Sequence, residues 1–208
     1  MARNLMALMS GLALAACTVV GIRSGTEEPA HDVVDHVGPV EIRAYAATIA
    51  AETIVADDEE DARTVGFRRL AGYIFGGNTA GAAIAMTAPV AQQPGQTIAM
   101  TAPVAQDRVA GGWSIRFTMP RDWTLERLPR PNDPLVHLVT VPARTMAVLG
   151  FTGDRGPEAV HARQQDLARR LDGSAWAVAG APVAWFYDPP WTLPWLRRNE
   201  VAVPVTRR

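Results

Sequence analysis

Few side chains in this sequence are equipped for chemistry, and their types narrow what that chemistry can be. The 208 residues include four histidines, His31, His36, His137 and His161, and a single cysteine, Cys17. All 20 basic residues are arginine, so no lysine is present to form a Schiff base. One cysteine allows neither an internal disulfide nor a thiolate metal cage. His161 follows Glu158 by three positions, the Glu-x-x-His spacing of di-iron helices, but the second copy and the extra carboxylates are missing. His31, Asp32, Asp35 and His36 cluster near the N-terminus, either as an adventitious metal site or as a solvated linker. His137 falls on a predicted strand, as an axial metal ligand or as a structural side chain. Neither a Gly-x-Ser-x-Gly elbow nor a His-Glu-x-x-His pair occurs. Glu52 and Glu126 are possible acids or bases, but nothing in their spacing singles them out. A formal net charge of −1 offers no field to attract nucleic acid, which is not expected as a partner.

Cys17 has a chemistry of its own. Arg3 supplies a positive start, Leu5 to Leu14 an apolar stretch, and Leu14-Ala15-Ala16-Cys17 resembles the lipobox of bacterial lipoproteins. The apolar stretch falls short of the ~20 residues that a spanning helix needs. The expected organisation is a signal peptide over 1–16, a lipidated tether over 17–36 and one domain over 37–208. The membrane is then reached through the lipid on Cys17 alone. Thr18, rather than an aspartate, follows the cysteine. By resemblance to lipoprotein sorting rules, that favours the outer membrane, facing the periplasm.

Stepping outward to the elements, Val40, Ile42 and Ala44 alternate with Glu41, Arg43 and Tyr45, and Ile49 to Val55 continues as a strand. Asp57 to Asp61 is an acidic run suited to a helix start. Phe67, Leu70, Ala71 and Ile74 then follow the spacing of one apolar helix face, which Gly76-Gly77-Asn78 ends. The nine residues Ile84–Gln92 recur identically at Ile98–Gln106, with turn residues between, so a hairpin of two similar strands is expected. Strands are expected over Trp113–Met119, Leu135–Phe151 with a break at Pro142, Trp176–Tyr187 and Glu200–Val205. Pro157 and Glu158 open a second helix that stops at Gly173. The order reads as two β-α-β-β halves in one domain.

Three segments, in this order, carry a resemblance. Val40-Glu41-Ile42-Arg43-Ala44-Tyr45 comes first. Gly66 to Asn78, followed by Ile-Ala-Met-Thr-Ala-Pro-Val, comes second, and Tyr187-Asp188-Pro189-Pro190-Trp191 through Arg197-Arg198-Asn199-Glu200-Val201 third. Together they resemble the SOUL haem-binding protein family over about residues 33–206. The resemblance implies an α+β fold: a distorted β-barrel of two antiparallel sheets with two helices and a pseudo-two-fold β-α-β-β repeat. It also implies haem or another porphyrin as ligand, in an apolar cleft beside the first helix. Phe67, Leu70 and Ile74 would then line the cleft, or else pack on the sheet as helix faces usually do. Arg68 and Arg69 would pair with propionates, or stand solvated. Met86 and Met100 would be soft axial or packing partners, and His137 a weak axial candidate. Arg197, Arg198 and Glu200 read as structural pairs, because a buried arginine needs partners. The leading expectation is an envelope-anchored, non-catalytic tetrapyrrole binder. The alternatives are an enzyme acting on haem or another hydrophobic molecule, and a ligand-free interaction module.

Overall fold

Alternating apolar and polar residues carry most of the chain into strands, as the computed structural model of the protein bears out. It describes residues 25–79, 95–189 and 191–208. In chain order the elements are β1 (His31–Val37), β2 (Val40–Tyr45), β3 (Thr48–Val55), α1 (Glu59–Ile74), β4 (Asn78–Thr79), β5 (Val104–Val109), β6 (Gly112–Thr118) and β7 (Arg130–Pro131). There follow β8 (His137–Val141), β9 (Arg144–Phe151), α2 (Pro157–Leu171), β10 (Trp176–Val178), β11 (Val183–Phe186), a 3-10 turn (Pro194–Leu196) and β12 (Asn199–Arg207). Ten strands form one antiparallel sheet in the order β1-β2-β9-β12-β11-β5-β6-β3-β8, with β10 added on β12; β4 and β7 pair separately.

The α+β class with two helices holds, but the closed barrel of two sheets does not. The ladder is a single open path whose ends are β1 and β8. It still curls strongly, because only Ala46 and Ala47 join β2 to β3, and only Pro142 and Ala143 join β8 to β9. Since β2 pairs with β9 and β3 with β8, these short connections bring the two ends of the path together at one side. The domain also starts earlier than residue 37. Residues 31–36, expected in the tether, form with Val37 the edge strand β1, paired with β2 from His31↔Tyr45 to Val37↔Val40. Its polar, exposed side chains suit an edge that must not recruit further strands.

Both helices cover the same face of the sheet. On α1, Leu70, Tyr73 and Ile74 pack with Ala51, Ile115 and Phe117. On α2, Val160, Leu167 and Leu171 pack with Ile42, Leu149, Val201 and Val203. Full burial of each such side chain contributes roughly 1.5–3 kcal/mol. Gly66 makes the α1 contact possible, since a Cβ there would lie 2.4 Å from Cγ1 of Ile115. Asp58 caps α1 by accepting from the backbone N–H groups of Glu60 (3.0 Å) and Asp61 (2.9 Å), so the acidic run does open the helix. Of the duplicated segment, the second copy supplies buried Ile98 and the first residues of β5; the first copy, and with it the expected hairpin, lies outside the described residues.

Candidate functional site

Residues paired across a ladder project to the same face, so the register identifies the side of the sheet that carries no helix. One row crosses seven strands there: Gly150, Glu200, Trp185, Ala105, Arg116, Glu52 and His137. A second pair, Tyr45 and Arg144, lies beside it. Where the covered face is apolar, this one mixes aromatic rings with ion pairs.

At its centre Glu200, 3% exposed, accepts from both guanidinium nitrogens of Arg43 (2.9 and 3.1 Å) and from the Tyr187 hydroxyl (2.6 Å). Arg198 adds a third donor at 3.0 Å, lies 3.8 Å over the Tyr187 ring, and makes a forked pair with Glu28 (3.0 and 3.1 Å). The expected structural role of Arg198 and Glu200 is therefore met. Burial alone raises the pKa of a carboxyl group, but the hydrogen bonds of Arg43 and Tyr187 and the charges of Arg43 and Arg198 outweigh it and hold Glu200 below its usual value. Burial raises Tyr187 and Tyr45, and the negative charge of Glu200 adds to it for both. These groups stay as neutral phenols and a carboxylate at neutral pH, locked into one polar network.

A trough opens in front of this network. The rings of Tyr45 and Trp185 meet edge-on (centroids 5.6 Å apart, 74° between planes), and His31 stands 5.1 Å from Tyr45 at the rim. Tyr187, Arg116 and Arg144 complete the walls. Arg116 is neutralised by Asp107, with Glu52 at 3.7 Å. Arg144 is not. It is half-buried, and no hydrogen bond or ion pair joins it to a described residue. Burial and the nearby positive charge of Arg116 lower its pKa, and the charge of Asp107, which already pairs with Arg116, offsets them only in part. The enclosed part of the trough holds about 50 Å³, room for a few waters. It continues past Glu28, Pro29, Ala46, Thr48 and Thr118 into a cavity of about 340 Å³ lined by Ile49, Met119, Pro120 and Trp123.

The residues singled out from sequence lie mostly elsewhere. Leu70 (0% exposed) and Ile74 are sealed in the core, and Phe67 packs edge-on against Phe117 at 5.4 Å. Among the described residues, this part of α1 lies in direct contact with the sheet through Ile115 and Phe117. Arg68 is exposed on the outer side of α1. Arg69 donates to the Thr53 hydroxyl (2.8 Å) and pairs with Asp133 (3.4 Å). Met100 is 39% exposed, and His137 is exposed on β8, in register with Glu52. His161 pairs with Glu59 at 3.2 Å, a contact between the two helices. Met86 and Cys17 lie outside the described residues. Sequence reasoning did not find Tyr45, Trp185, Arg116 or Arg144. The alternation of β2 and β11 held a partial signal, since Tyr45 and Trp185 fall on one face, but Phe186 falls on the other, and nothing local marks Arg144 as lacking a salt bridge.

Solved structures share this fold at low identity. The C-terminal domain of EcmrR matches with a TM-score of 0.52 at 13% identity, covering 81% of this chain and 98% of that one. EcmrR in its DNA complex matches at 0.51 and 12%, covering 81% and 57%. Such identities speak to the fold alone. A search of curated proteins returns no match. The family model described as "SOUL heme-binding protein", however, spans residues 26–204, from just before β1 into β12, and takes in both helices and every trough residue named above. The chain belongs to the SOUL haem-binding protein family.

Proposed function

We propose that this protein is a non-catalytic binder of haem or a related tetrapyrrole, held on the outer membrane by an acylated Cys17 and facing the periplasm, with its ligand seated at the open-face trough. The observation that carries this reading is Arg144: a half-buried guanidinium that makes no side-chain hydrogen bond or salt bridge to a described residue, beside the Tyr45 and Trp185 rings. A tetrapyrrole is a flat apolar ring edged with carboxylates. Arg144 fits one carboxylate by a forked, charge-assisted pair, and Tyr45, Trp185 and Tyr187 offer the apolar surface. His31 places an imidazole at the rim. When bound, haem would supply a redox-active iron. The enclosed volume is too small for the whole macrocycle, so the ligand lies along the mouth and the larger adjoining cavity. The non-catalytic part of the reading is supported by Tyr187 in the wall and Glu200 buried behind it. Burial keeps the first a neutral phenol and the Arg43 and Arg198 partners keep the second a carboxylate, so neither is poised to exchange a proton near pH 7.

Titrating the folded chain with haemin tests this. A saturable Soret change at micromolar haemin is expected, weakened in Arg144→Gln. No saturable change, or full binding by Arg144→Gln, overturns it. Mass spectrometry of the N-terminal peptide from native membranes tests the anchor separately.

A further inference from the structure

The segment between β11 and β12 carries exposed apolar bulk that the trough does not use. Trp191 is 60% exposed, Trp195 68% and Leu196 36%. Prolines at 189 and 194 and a 3-10 turn stiffen the segment, and the Gly153 N–H donates to the carbonyl of Pro194 at 2.9 Å. Large rings held outward on a rigid loop suit the interface of a bilayer, where an indole sits with its apolar body inward and its N–H in contact with water.

The point where the chain enters the domain says which surface that is. Glu28 is clamped by Arg198, and Glu27 by Arg121 at 3.1 Å. Arg198 stands three residues after Trp195, so the loop and the entry point are neighbours. From Cys17 to Glu28 the chain reaches at most ~40 Å even when fully extended. A domain of this size is itself roughly 40 Å across. A lipid on Cys17 therefore holds the domain within about one diameter of the bilayer, with the Glu28 end nearest the attachment point.

We infer that the Trp191–Leu196 loop is a membrane-seating element: Trp191, Trp195 and Leu196 enter the interface of the lipid surface that carries the chain. This rests on reading Cys17 as the anchor. The trough mouth, lined by Glu28 and Tyr187, then opens beside the bilayer, where an apolar ligand is exchanged over a short path.

Because Cys17 is the only cysteine, the geometry can be rebuilt without natural acylation. The chain beginning at Cys17, which keeps every described residue, is coupled through that thiol to a maleimide lipid in phosphatidylcholine vesicles with brominated acyl chains. Two of the six tryptophans are in the loop, so quenching of up to about a third of the emission is expected. Trp191→Phe/Trp195→Phe removes that quenching, and Leu196→Glu, which keeps both indoles as reporters, reduces it. Quenching in the parent chain no greater than in the double variant, or unchanged by Leu196→Glu, overturns the proposal. An unacylated N-terminal peptide from native membranes overturns the anchor instead, a separate result.

Discussion

The two faces of the sheet are built from the same strands, offset by one residue, yet they bury different chemistry. Under the helices, Leu70, Ile74, Ile115 and Phe117 form one dry cluster and Val160, Leu167, Val201 and Val203 another. On the open face the apolar cluster is small, with Met146, Val148, Val183, Trp185 and Ala202, and it adjoins the Arg43–Glu200–Tyr187 network. Covered-face residues hold the fold by area removed from water. Open-face residues trade some of that for ion pairs whose desolvation roughly cancels their attraction. The gain is position: Glu200 fixes Tyr187, and Arg198 fixes both Tyr187 and the chain entry at Glu28. One face is stabilising by default, the other arranged to hold rings and charges in place.

The largest expected effect breaks the open face. Glu200→Ala leaves the Arg43 guanidinium buried without its partner and should cost about 3–5 kcal/mol in urea unfolding. Leu70→Ala, on the covered face, should cost about 2–5 kcal/mol through lost burial and a cavity. The two differ in their response to acid. Glu200 has a folded-state pKa held below 4.5, so its contribution is complete above pH 4.5 and is lost as pH falls through the folded value. The acid limb of the Tm–pH curve below pH 4.5 should therefore be shallower in Glu200→Gln than in the parent, and unchanged in Leu70→Ala. Parallel limbs for Glu200→Gln and the parent would show that Glu200 is not held in this way.

The sequence made the covered face more legible than the open one, for a physical reason. The stripe of Leu70 and Ile74 and the stop at Gly76 are local patterns, and α1 forms over Glu59–Ile74 as they require. Pro157 and Gly173 bracket α2 equally well. The open face depends instead on pairings between distant strands. Arg43 and Glu200 are 157 residues apart, and the state of Arg144 depends on what fails to approach it. β1 reads as linker in the sequence because an exposed edge strand has no buried face to impose alternation, and His31-Asp32 and Asp35-His36 are polar. The curl of the sheet, set by two-residue connections at Ala46 and Pro142, likewise has no local signature.

Smaller effects decide which face holds the ligand. Arg144→Gln removes a charge that makes no salt bridge to a described residue, so stability should stay within about 0.5 kcal/mol of the parent. If a carboxylate of the ligand completes that charge, haemin affinity should fall about ten- to a hundredfold, since a charge-assisted hydrogen bond contributes roughly 1.5–3 kcal/mol. Arg68→Ala is the matched change on the helix side. Arg68 is exposed on α1, and its loss should alter unfolding by no more than about 0.5 kcal/mol. A propionate held beside α1 would make the same substitution weaken haemin binding, whereas a ligand in the trough leaves it unchanged. The two titrations form a cross-over: only Arg144→Gln weakened places the ligand on the open face, and only Arg68→Ala weakened places it on the helix side. For the second outcome α1 would have to part from Ile115 and Phe117, and Leu70→Ala, which loosens that contact, would then raise haemin affinity. With the ligand in the trough, Leu70→Ala lowers stability and leaves the affinity of the folded fraction as it was.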